Sequence, residues 1–465
     1  MGSLSPEHFQ ATGARNMLVQ WARHGIIPSL SGRDHLPRPQ PNDKSIRQHA
    51  TFVRNKLARM LAADVVSITD RQPNFLMPLK LVPKANGKPR LVHNTRKLNK
   101  RTRAPSFHLP TPYRIVKQVP RGAYMTRFDV SNAYWTVPLH PDHRHDFGFA
   151  FEGQWYVWNR IPFGWNVSSW VLYTCMEHVR KSLFQRFGIR VFIYSDDILM
   201  IAPDHATALR HTSIVLDELR AFGFAVQEAK CHLAPTQDIT YLGMRIRTDN
   251  CTVRLTSARQ QAYIRMLHSL RRLRRVPLLW LQQVVGHLNF VAPVWPGSRI
   301  LFNTWIRTLA SVPPGSPPTR FVPVDPLPFP ALLGVITRNA PFRFHDVEHA
   351  VYSDATLRQG AFCYTPSVGY AAPLSRHPAI FVQETRAAAD AIVHAATRFP
   401  SSRIVAYIDN TAALGALRKG TTAIADVWPD LLRVFLALDA SRCSISFRYV
   451  RSARNPADFF SRLAL

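Results

Sequence analysis

A stretch dense in proline, residues 311–330 (SVPPGSPPTRFVPVDPLPFP), constrains the fold of this chain more than any other sequence feature. Proline fits neither a helix interior nor a central strand, so the stretch predicts a linker between two folded regions. On either side, short apolar strands alternate with helical segments, over residues 123–245 and again from 342 to the end. This alternation predicts an α+β region followed by a separate α/β domain.

The charge balance of the chain points to its partners. Among 465 residues, 59 lysines and arginines stand against 29 aspartates and glutamates, a formal net charge of +30. Such a surplus favours nucleic acid over an anionic membrane. Five dispersed cysteines argue against a disulfide framework, and we find neither a secretory signal nor a membrane-spanning run. We therefore expect an intracellular protein with no membrane partner, in the cytoplasm or the nucleus.

Three acidic residues at the ends of apolar strands form the first candidate site. YSDD at Tyr194–Asp197 lies between the apolar strands VFI and ILMI, which predicts a tight hairpin. Two carboxylates at one place repel each other unless a cation binds there. Asp129 ends a comparable strand, MTRFDV. Three converging carboxylates would hold two Mg²⁺ ions about 4 Å apart. For each motif alone, a solvated turn is the alternative, so the functional interpretation depends on several motifs occurring in order.

Six blocks of sequence occur in such an order: KANGKPRLVHNTRKLNK, RFDVSNAYWTVPLHPDHRHDFGF, RIPFGWNVSSWV, YSDD, EAKC and YLG. This order resembles the fingers and palm of reverse transcriptases, and it implies a right-hand polymerase of fingers, palm and thumb. The resemblance also implies that Asp129, Asp196 and Asp197 bind two catalytic Mg²⁺ ions, with Mn²⁺ as an alternative. The Val130 carbonyl would be a further ligand. Tyr134 would stack under the sugar and select deoxynucleotides.

The same resemblance assigns substrate-binding roles to further side chains. Lys84 and Arg90 match fingers residues that clamp the triphosphate, although both could also be ordinary exposed strand residues. Phe163 lies in PFG, where several retroviral enzymes have glutamine and gypsy-type relatives share the phenylalanine. Lys230 in EAKC matches a lysine near the nucleotide. Asn94 stands where many relatives carry an acid, so the contact at that position is expected to differ.

Residues 256–292 predict two helices with an apolar stripe through Ile264, Leu267, Leu270 and Leu273. No acid lies between Arg254 and Arg275, and the arginines of this segment lie off the apolar stripe. A thumb follows the palm in reverse transcriptases, and such arginines suit contact with duplex phosphates. A solvated charged face is the alternative. The YLG block resembles the primer-grip hairpin.

Four acids after the proline-rich stretch form the second candidate site. Asp354 and Asp409 end apolar strands, and Glu384 is expected in the first turn of a helix. Asp458 is expected in a helix that Asn455 caps. Caps and turns could account for each acid separately. Their order, Asp–Glu–Asp–Asp, resembles RNase H, which implies that the four bind two Mg²⁺ ions and direct water at an RNA phosphate.

The predicted organisation is an N-terminal basic extension of uncertain order (1–70), reverse transcriptase fingers and palm (71–248), a helical thumb and connection (249–310), a Pro-rich linker (311–341) and an RNase H-like domain (342–465). The implied function is RNA-directed DNA polymerisation with RNase H activity in retroelement replication. DIRS-like retrotransposons are the expected subgroup, with hepadnaviral and gypsy-type polymerases as cousins. Implied partners are an RNA template, a DNA primer, an RNA–DNA hybrid and dNTPs, with a capsid protein as a further candidate. The alternative is a catalytically silent nucleic-acid-binding protein, which the presence of all seven acids disfavours.

Overall fold

The structure is a computed structural model, and it describes residues 2–31, 40–83, 87, 89–271, 273–291, 294, 296–324, 329–341, 347–375 and 377–463. The α-helices are α1 Pro6–Ala11, α2 Asn16–His24, α3 Lys44–Gln48, α4 Ala50–Ala62, α5 Arg96–Asn99, α6 Pro112–Val116, α7 Ser168–Phe187, α8 His205–Ala221, α9 Ser257–Leu270, α10 Leu278–Leu288, α11 Asn303–Ser311, α12 Phe329–Thr337, α13 Ile380–Arg398, α14 Thr411–Lys419, α15 Trp428–Ala440 and α16 Ala457–Ser461. The strands are β1 Val66–Thr69, β2 Leu79–Pro83, β3 Pro89–His93, β4 Tyr124–Asp129, β5 Gly148–Phe151, β6 Gln154–Trp158, β7 Arg190–Tyr194, β8 Asp197–Ala202, β9 His232–Thr236, β10 Asp238–Tyr241, β11 Met244–Arg247, β12 Thr252–Leu255, β13 Arg275–Pro277, β14 Phe321–Pro323, β15 Ala340–Pro341, β16 Glu348–Ala355, β17 Gln359–Thr365, β18 Val368–Pro373, β19 Arg403–Ile408 and β20 Ser444–Tyr449.

The chain divides into two compact units. The first comprises Met1–Pro110 and Ala123–Thr236, and the second comprises Thr111–Gly122 and Gln237–Leu465. These units do not coincide with the five predicted regions, whose boundaries stay predictions. Among the described residues, no helix combines the length and the apolar character that crossing a membrane requires.

A four-stranded sheet of order β7-β8-β4-β9 forms the centre of the first unit. After its first residue, β8 is buried throughout, as expected for a central strand with both faces covered. Helix α7 ends at Phe187 and is followed by Gly188, whose φ of +67° suits a residue without a side chain. Helix α8 begins after Asp204, whose carboxylate accepts the Thr207 N–H at 2.8 Å. Because α7 ends before β7 and α8 begins after β8, these two strands are adjacent in the chain and are joined by a short turn.

The N-terminal region differs from the extension of uncertain order expected from its mixed composition. Residues 2–31 and 40–69 form α1 to α4 and β1, and β1 pairs with β6. Phe9, Val53 and Leu57 are buried in the core of the first unit. Their burial shows that a polar, basic stretch still supplies enough apolar side chains to order it.

The segment FLMPLKLVPKANGKPRLVHNTR predicts two strands around an Asn86–Gly87 turn, and the two strands of this fingers hairpin are present. Strands β2 and β3 pair antiparallel, with Leu79 opposite His93 and Val82 opposite Arg90. Asn86, predicted to lie in its turn, is outside the described residues. The alternation of exposed and buried side chains along β2 matches a hairpin with one covered face.

The predicted helix pair after the palm corresponds to α9 and α10. Leu267 and Leu270 are buried as expected, and Tyr263 rather than Ile264 completes the buried face. Leu273 is 42% exposed, because α9 ends at Leu270 and the predicted stripe does not continue beyond the helix.

The proline-rich stretch is less irregular than expected of a linker. Strand β14 pairs with β13, with Val276 opposite Val322. Pro323 and Pro277 lie at the ends of this short ladder, where a missing N–H costs little. Helix α12 carries Pro330 as its second residue, a position that tolerates proline.

The C-terminal part of the second unit contains a five-stranded sheet of order β18-β17-β16-β19-β20. Strands β16, β17 and β18 are antiparallel, whereas β16, β19 and β20 are parallel. Helix α13 connects β18 to β19 and buries Ala388, Ile392 and Ala395, as its apolar stripe predicts. The carboxyl ends of β16 and β19 therefore meet at one edge of the sheet.

Candidate active sites

The pairing of β4 with β8 brings together Asp129, Asp196 and Asp197, which we call the first acidic cluster. Asp129 ends β4, Asp197 begins β8, and the two are direct cross-strand partners. Such partners have Cα atoms about 4.5–5.5 Å apart. Asp196 follows Ser195 in the two-residue turn between β7 and β8, where Ser195 has a φ of +60°. A positive φ at the first turn position is typical of type II′ hairpins. Three carboxylates thus lie at one end of the sheet.

Hydrogen bonds fix the backbone around Asp129. The Val130 N–H donates to the Asp196 carbonyl at 3.0 Å, and the Gln227 N–H donates to the Asp129 carbonyl at 2.9 Å. The Asp129 N–H donates to the Cys231 sulfur at 3.2 Å. Val130, whose carbonyl is the predicted further ligand, therefore belongs to a fixed segment beside the cluster. Sequence patterns give no signal for Gln227, because contacts made with a backbone leave no motif, and Cys231 lies in the EAKC block without an assigned role.

Burial and nearby negative charges raise the pKa values of two carboxylates in the first acidic cluster. Although Asp196 is exposed as a whole residue, partial burial of its carboxylate raises its pKa, and the charge of Asp129 raises it further. Burial also raises the pKa of Asp197, and the charge of Asp196 adds to this effect. Lys230, predicted near the nucleotide, places its Nζ 3.7 Å from Asp129 Oδ1. Its positive charge opposes both pKa shifts.

Asp354, Glu384 and Asp409 form the second acidic cluster. Each offers a carboxylate oxygen, and these three oxygens lie within 4.8 Å of one another. Ser353 and Ile408 are partners in the parallel pairing of β16 with β19, so the acids that follow them are neighbours. Glu384 comes from α13, which begins at Ile380. Glu384 is therefore in the second helical turn, not in the first turn as predicted, because the helix starts before the segment from which it was predicted.

The second acidic cluster is buried without adequate compensation from the protein. Burial, followed by the charges of Asp409 and Asp354, raises the pKa of Glu384 to about 9. Burial raises the pKa of Asp354 to about 6, although the Ser461 hydroxyl donates to its carboxylate. Glu384 Oε2 and Asp409 Oδ1 are buried and accept no hydrogen bond. Unsatisfied carboxylate oxygens are the ligands that Mg²⁺ prefers, so these residues fit a divalent cation.

The chain matches a known family over the region of the first acidic cluster. The family model described as reverse transcriptase (RNA-dependent DNA polymerase) matches residues 82–246. This region is a reverse transcriptase domain. The predicted recognition of a retroelement polymerase region is thereby confirmed, whereas the DIRS-like subgroup stays a prediction.

Viral polyproteins and polymerases are among the relatives of the chain. The Gag-Pol polyprotein of walleye dermal sarcoma virus is 28% identical over 155 residues, 33% of this chain and 9% of the relative. Protein P of duck hepatitis B virus is 25% identical over 199 residues, 42% of this chain and 25% of the relative. The Pol polyprotein of equine infectious anemia virus is 23% identical over 266 residues, 54% of this chain and 22% of the relative. The matches therefore span a quarter or less of each relative's length.

Solved structures extend the similarity to almost the whole chain. The foamy viral protease–reverse transcriptase in complex with dsDNA has a TM-score of 0.57 at 18% identity, covering 96% of each chain. The same viral protein in complex with an RNA/DNA hybrid has a TM-score of 0.56 at 18% identity, covering 97% of this chain and 61% of that chain. The predicted fold class, a right-hand polymerase followed by an α/β RNase H-like domain, is confirmed.

Within the reverse transcriptase domain, the predicted sugar-selecting residue has a defined position. The Tyr134 ring meets the edge of Phe163 with ring centroids 4.7 Å apart. The Tyr134 hydroxyl lies 3.1 Å from the Ser169 hydroxyl, within hydrogen-bond distance. Phe163 is 42% exposed, so the two rings form an aromatic wall that a ligand can reach. Ser169 is a contact that no sequence motif singles out.

The loop that carries Phe163 is fixed by residues that follow the fingers hairpin. The Gly164 carbonyl accepts the Thr95 hydroxyl at 2.7 Å and the Asn99 amide at 2.9 Å. The Asn166 N–H donates to Asn99 Oδ1 at 3.0 Å. Asn99 thus holds both sides of this loop, although its position in the sequence indicates no such role.

Lys84 and Arg90 are the two predicted triphosphate-clamping residues. Lys84 lies outside the described residues. Arg90 is exposed on β3, and it forms no ion pair or hydrogen bond with another described side chain. Its assigned role therefore stays a prediction.

Arg259 of the predicted thumb has a structural contact. Its guanidinium donates to the Leu242 carbonyl at 2.7 Å and stacks 4.3 Å from the Phe290 ring centroid. Gly243, with φ +76°, leaves room for this guanidinium, since a Cβ there would lie 2.3 Å from its central carbon. Arg259 thus ties α9 to the turn that resembles the primer grip. Arg265, in contrast, is exposed.

Asp458, the fourth acid of the RNase H-like pattern, lies beside the second acidic cluster. It does not join the three-carboxylate group among the described residues, and its Oδ1 accepts Arg462 at 2.7 Å. Its charge contributes to the raised pKa of Asp354. The predicted cap is wrong by one residue, because α16 begins at Ala457 and Pro456 occupies the N-cap position, whereas Asn455 Oδ1 accepts the Ala457 N–H at 3.2 Å from just before the cap.

Proposed function

We propose that the chain is an RNA-directed DNA polymerase that uses two divalent cations, Mg²⁺ foremost, at the first acidic cluster in the replication of a retroelement. The observation that carries the proposal is the direct pairing of Asp129 with Asp197, with Asp196 in the adjoining turn. Bound there, the cations would neutralise developing charge on the phosphates during nucleotidyl transfer. The protein's own part is to hold three carboxylates in place through two strands and a turn before any substrate arrives.

In this proposal, the surrounding side chains bind and orient an RNA template, a DNA primer and a dNTP. Tyr134, held against Phe163 and close to Ser169, limits the room for a 2′-hydroxyl. Lys230 lies beside Asp129 and offers a positive charge to the nucleotide phosphates. Lys84 and Arg90 are assigned to the triphosphate by family resemblance alone.

Primer extension on poly(rA)/oligo(dT) with Mg²⁺ tests the proposal, with Asp196→Asn as the inactive control. Asp196 occupies a turn and is exposed, so its replacement should leave the fold intact. We expect the variant to lose about a thousandfold or more in rate, since several kcal/mol of transition-state stabilisation depend on the metal. If wild type and variant incorporate equally little while both bind the template–primer, the chain is a silent nucleic-acid-binding protein.

We further propose that the second acidic cluster cleaves RNA in an RNA–DNA hybrid, with Asp458 as an auxiliary ligand. The supporting observation is that three buried carboxylates converge while Glu384 Oε2 and Asp409 Oδ1 accept no hydrogen bond. Divalent cations bound there would activate water for attack on a phosphodiester. The protein supplies the fixed negative oxygens and keeps the surroundings partly free of water.

Cleavage of a labelled RNA–DNA hybrid tests this second activity, with Asp409→Asn as its control. We expect cleavage by the wild type with Mg²⁺ and none without divalent cations. The Asp409→Asn chain should lose cleavage yet extend primers normally. Equal cleavage by wild type and variant would assign the activity to a contaminant, and no cleavage by either would make this part of the chain a scaffold.

A further inference from the structure

The turn between β20 and α16 carries two exposed arginines, Arg451 and Arg454. No aspartate or glutamate occurs between Ser441 and Ala457, so the positive charge of this segment is not offset by acids near it in sequence. Neither guanidinium forms an ion pair or a hydrogen bond with another described residue. Both groups are therefore available to an anion that the chain does not supply.

The fold anchors this turn beside the second acidic cluster at both ends. At one end, the Val450 N–H donates to the carbonyl of Ile408, the residue before Asp409, at 3.2 Å. At the other end, the Asn455 amide donates to the carbonyl of Ser353, the residue before Asp354, at 2.9 Å. Each end of the turn is therefore hydrogen-bonded to the residue that precedes an acid of the second cluster. The Cα atom of that residue lies about 3.8 Å from the Cα atom of the acid.

The arginines do not neutralise the acids that they neighbour. Among the described residues, no arginine or lysine lies within ion-pair distance of Asp354, Glu384 or Asp409, whereas the adjacent Asp458 pairs with Arg462 at 2.7 Å. The buried carboxylates and the exposed guanidiniums carry opposite charges but form no ion pairs with each other. This arrangement suits a ligand that contacts both groups. A phosphodiester backbone, bound through cations at the carboxylates, is such a ligand.

We propose that Arg451 and Arg454 bind backbone phosphates of the RNA–DNA hybrid next to the phosphate that is cleaved, and so position the hybrid over the second acidic cluster. This inference rests on the proposed hybrid cleavage. A guanidinium offers a planar fork of N–H donors that matches a phosphate, and it keeps its charge at every working pH. Asn455 bonds both the Ser353 carbonyl and the Ala457 N–H, so it holds the turn that carries the two arginines against the residue before Asp354.

Protection from chemical modification tests the contact without requiring cleavage. The full chain in Ca²⁺, a divalent cation that carboxylates bind, is treated with phenylglyoxal, with and without an RNA–DNA hybrid, and modified arginines are identified by mass spectrometry. We expect the hybrid to slow modification of Arg451 and Arg454 several-fold. Arg442 is exposed just before the other end of β20 and serves as the internal control. Equal modification of Arg451 and Arg454 with and without hybrid overturns the inference.

Kinetics of hybrid cleavage provide the second readout. We expect the Arg451→Gln/Arg454→Gln chain to raise KM about tenfold to a hundredfold with a smaller change in kcat, since charged hydrogen bonds to the hybrid are lost. The slope of log(kcat/KM) against log[salt] should become shallower by about one for each lost phosphate contact. Arg442→Gln should match wild type in both respects, and an unchanged unfolding midpoint would show that the double variant is folded. A double variant with wild-type KM and salt slope overturns the inference. If the wild type cleaves nothing, the proposed hybrid cleavage is wrong, and the protection experiment still decides whether the arginines bind the hybrid.

Discussion

Both acidic clusters hold several carboxylates close together, but they differ in how the negative charge is compensated. The first lies at a hairpin turn, where Asp196 is exposed and Lys230 places its Nζ 3.7 Å from Asp129. The second contains Asp354 and Glu384, each only 6% exposed, and no lysine or arginine among the described residues pairs with it. The protein thus partly compensates the first cluster itself and leaves the second for a ligand.

This difference is visible in the ionisation of the acids. Lys230 opposes the upward pKa shifts of Asp196 and Asp197. In the second cluster, burial and like charges raise the pKa of Glu384 to about 9. A group held neutral near physiological pH binds a cation only after losing its proton, so the second cluster should depend more strongly on both pH and divalent cations.

The largest expected effect is a complete separation of the two activities. Asp129→Asn should lower primer extension about a thousandfold or more and leave hybrid cleavage within about twofold, because the two clusters share no carboxylate. Asp409→Asn should do the reverse. Both rates, measured on each purified chain with the same preparation of Mg²⁺, check the prediction. Loss of both activities in either variant would mean that the two clusters do not act independently.

The next effect is on stability in the absence of metal. The pKa of Glu384 is raised from 4.5 to about 9 and that of Asp354 from 3.8 to about 6, so the folded chain binds more protons than the unfolded chain between these values. This contribution to stability is complete at low pH and is lost as pH rises toward about 9. In EDTA, the unfolding midpoint should therefore fall between about pH 5 and pH 9, by roughly 2–4 °C for each kcal/mol.

The Glu384→Gln variant and the addition of Mg²⁺ provide two further checks on the predicted pH dependence of the unfolding midpoint. The amide has no proton to lose, so the variant should show a flatter pH dependence in EDTA. Mg²⁺ should raise the midpoint of the wild type most at the alkaline end, where the carboxylates are ionised. Asp217→Asn changes an acid that is 75% exposed and should behave as wild type. A midpoint that rises with pH for the wild type in EDTA would contradict the assigned shifts.

Both clusters could be predicted from sequence because strand patterns carry strong local information. Apolar runs on both sides of YSDD predict the β7–β8 hairpin, and the acid that ends β4 then meets Asp197 across the sheet. The acids after β16 and β19 meet for a similar reason, since parallel strands place their carboxyl ends at one edge. The position at a strand end accounts for the aspartates of β4, β8, β16 and β19, whereas Asp196 lies in a turn and Glu384 comes from helix α13.

Sequence patterns did not predict packing between residues that are far apart in the chain. The burial of Phe9 and Val53 in the first unit depends on partners far along the chain, and the mixed composition of residues 1–70 gives no sign of it. Likewise, the pairing of Val322 with Val276 turns part of a proline-rich stretch into a strand. Glu384 also pairs with no lysine or arginine among the described residues. Only the three-dimensional fold shows which side chains reach a given carboxylate.

A smaller effect should follow from making the first cluster resemble the second. Lys230→Gln removes the cation beside Asp129, so the pKa values of Asp196 and Asp197 should rise. The acidic limb of the pH profile for primer extension should then move to higher pH, with a several-fold lower rate at pH 6 and a smaller loss at pH 8. Lys181→Gln removes an exposed lysine from α7 and serves as the matched control. An acidic limb that stays at its wild-type pH in the Lys230 variant would show that Lys230 does not compensate the cluster.

The smallest effect concerns Ser461, whose hydroxyl donates to Asp354 and partly offsets the effect of burial on the pKa of that carboxylate. Ser461→Ala removes this donor, so the pKa of Asp354 should rise further and protons should compete more strongly with Mg²⁺. We expect the Mg²⁺ concentration for half-maximal hybrid cleavage to increase a few-fold at pH 6.5 and to approach the wild-type value at pH 8.5, where Asp354 is ionised in both chains. Ser461→Thr keeps the hydroxyl and should restore the wild-type requirement. An equal increase at both pH values would instead indicate a displaced carboxylate, because loss of geometry, unlike competition with protons, does not disappear when the pH is raised.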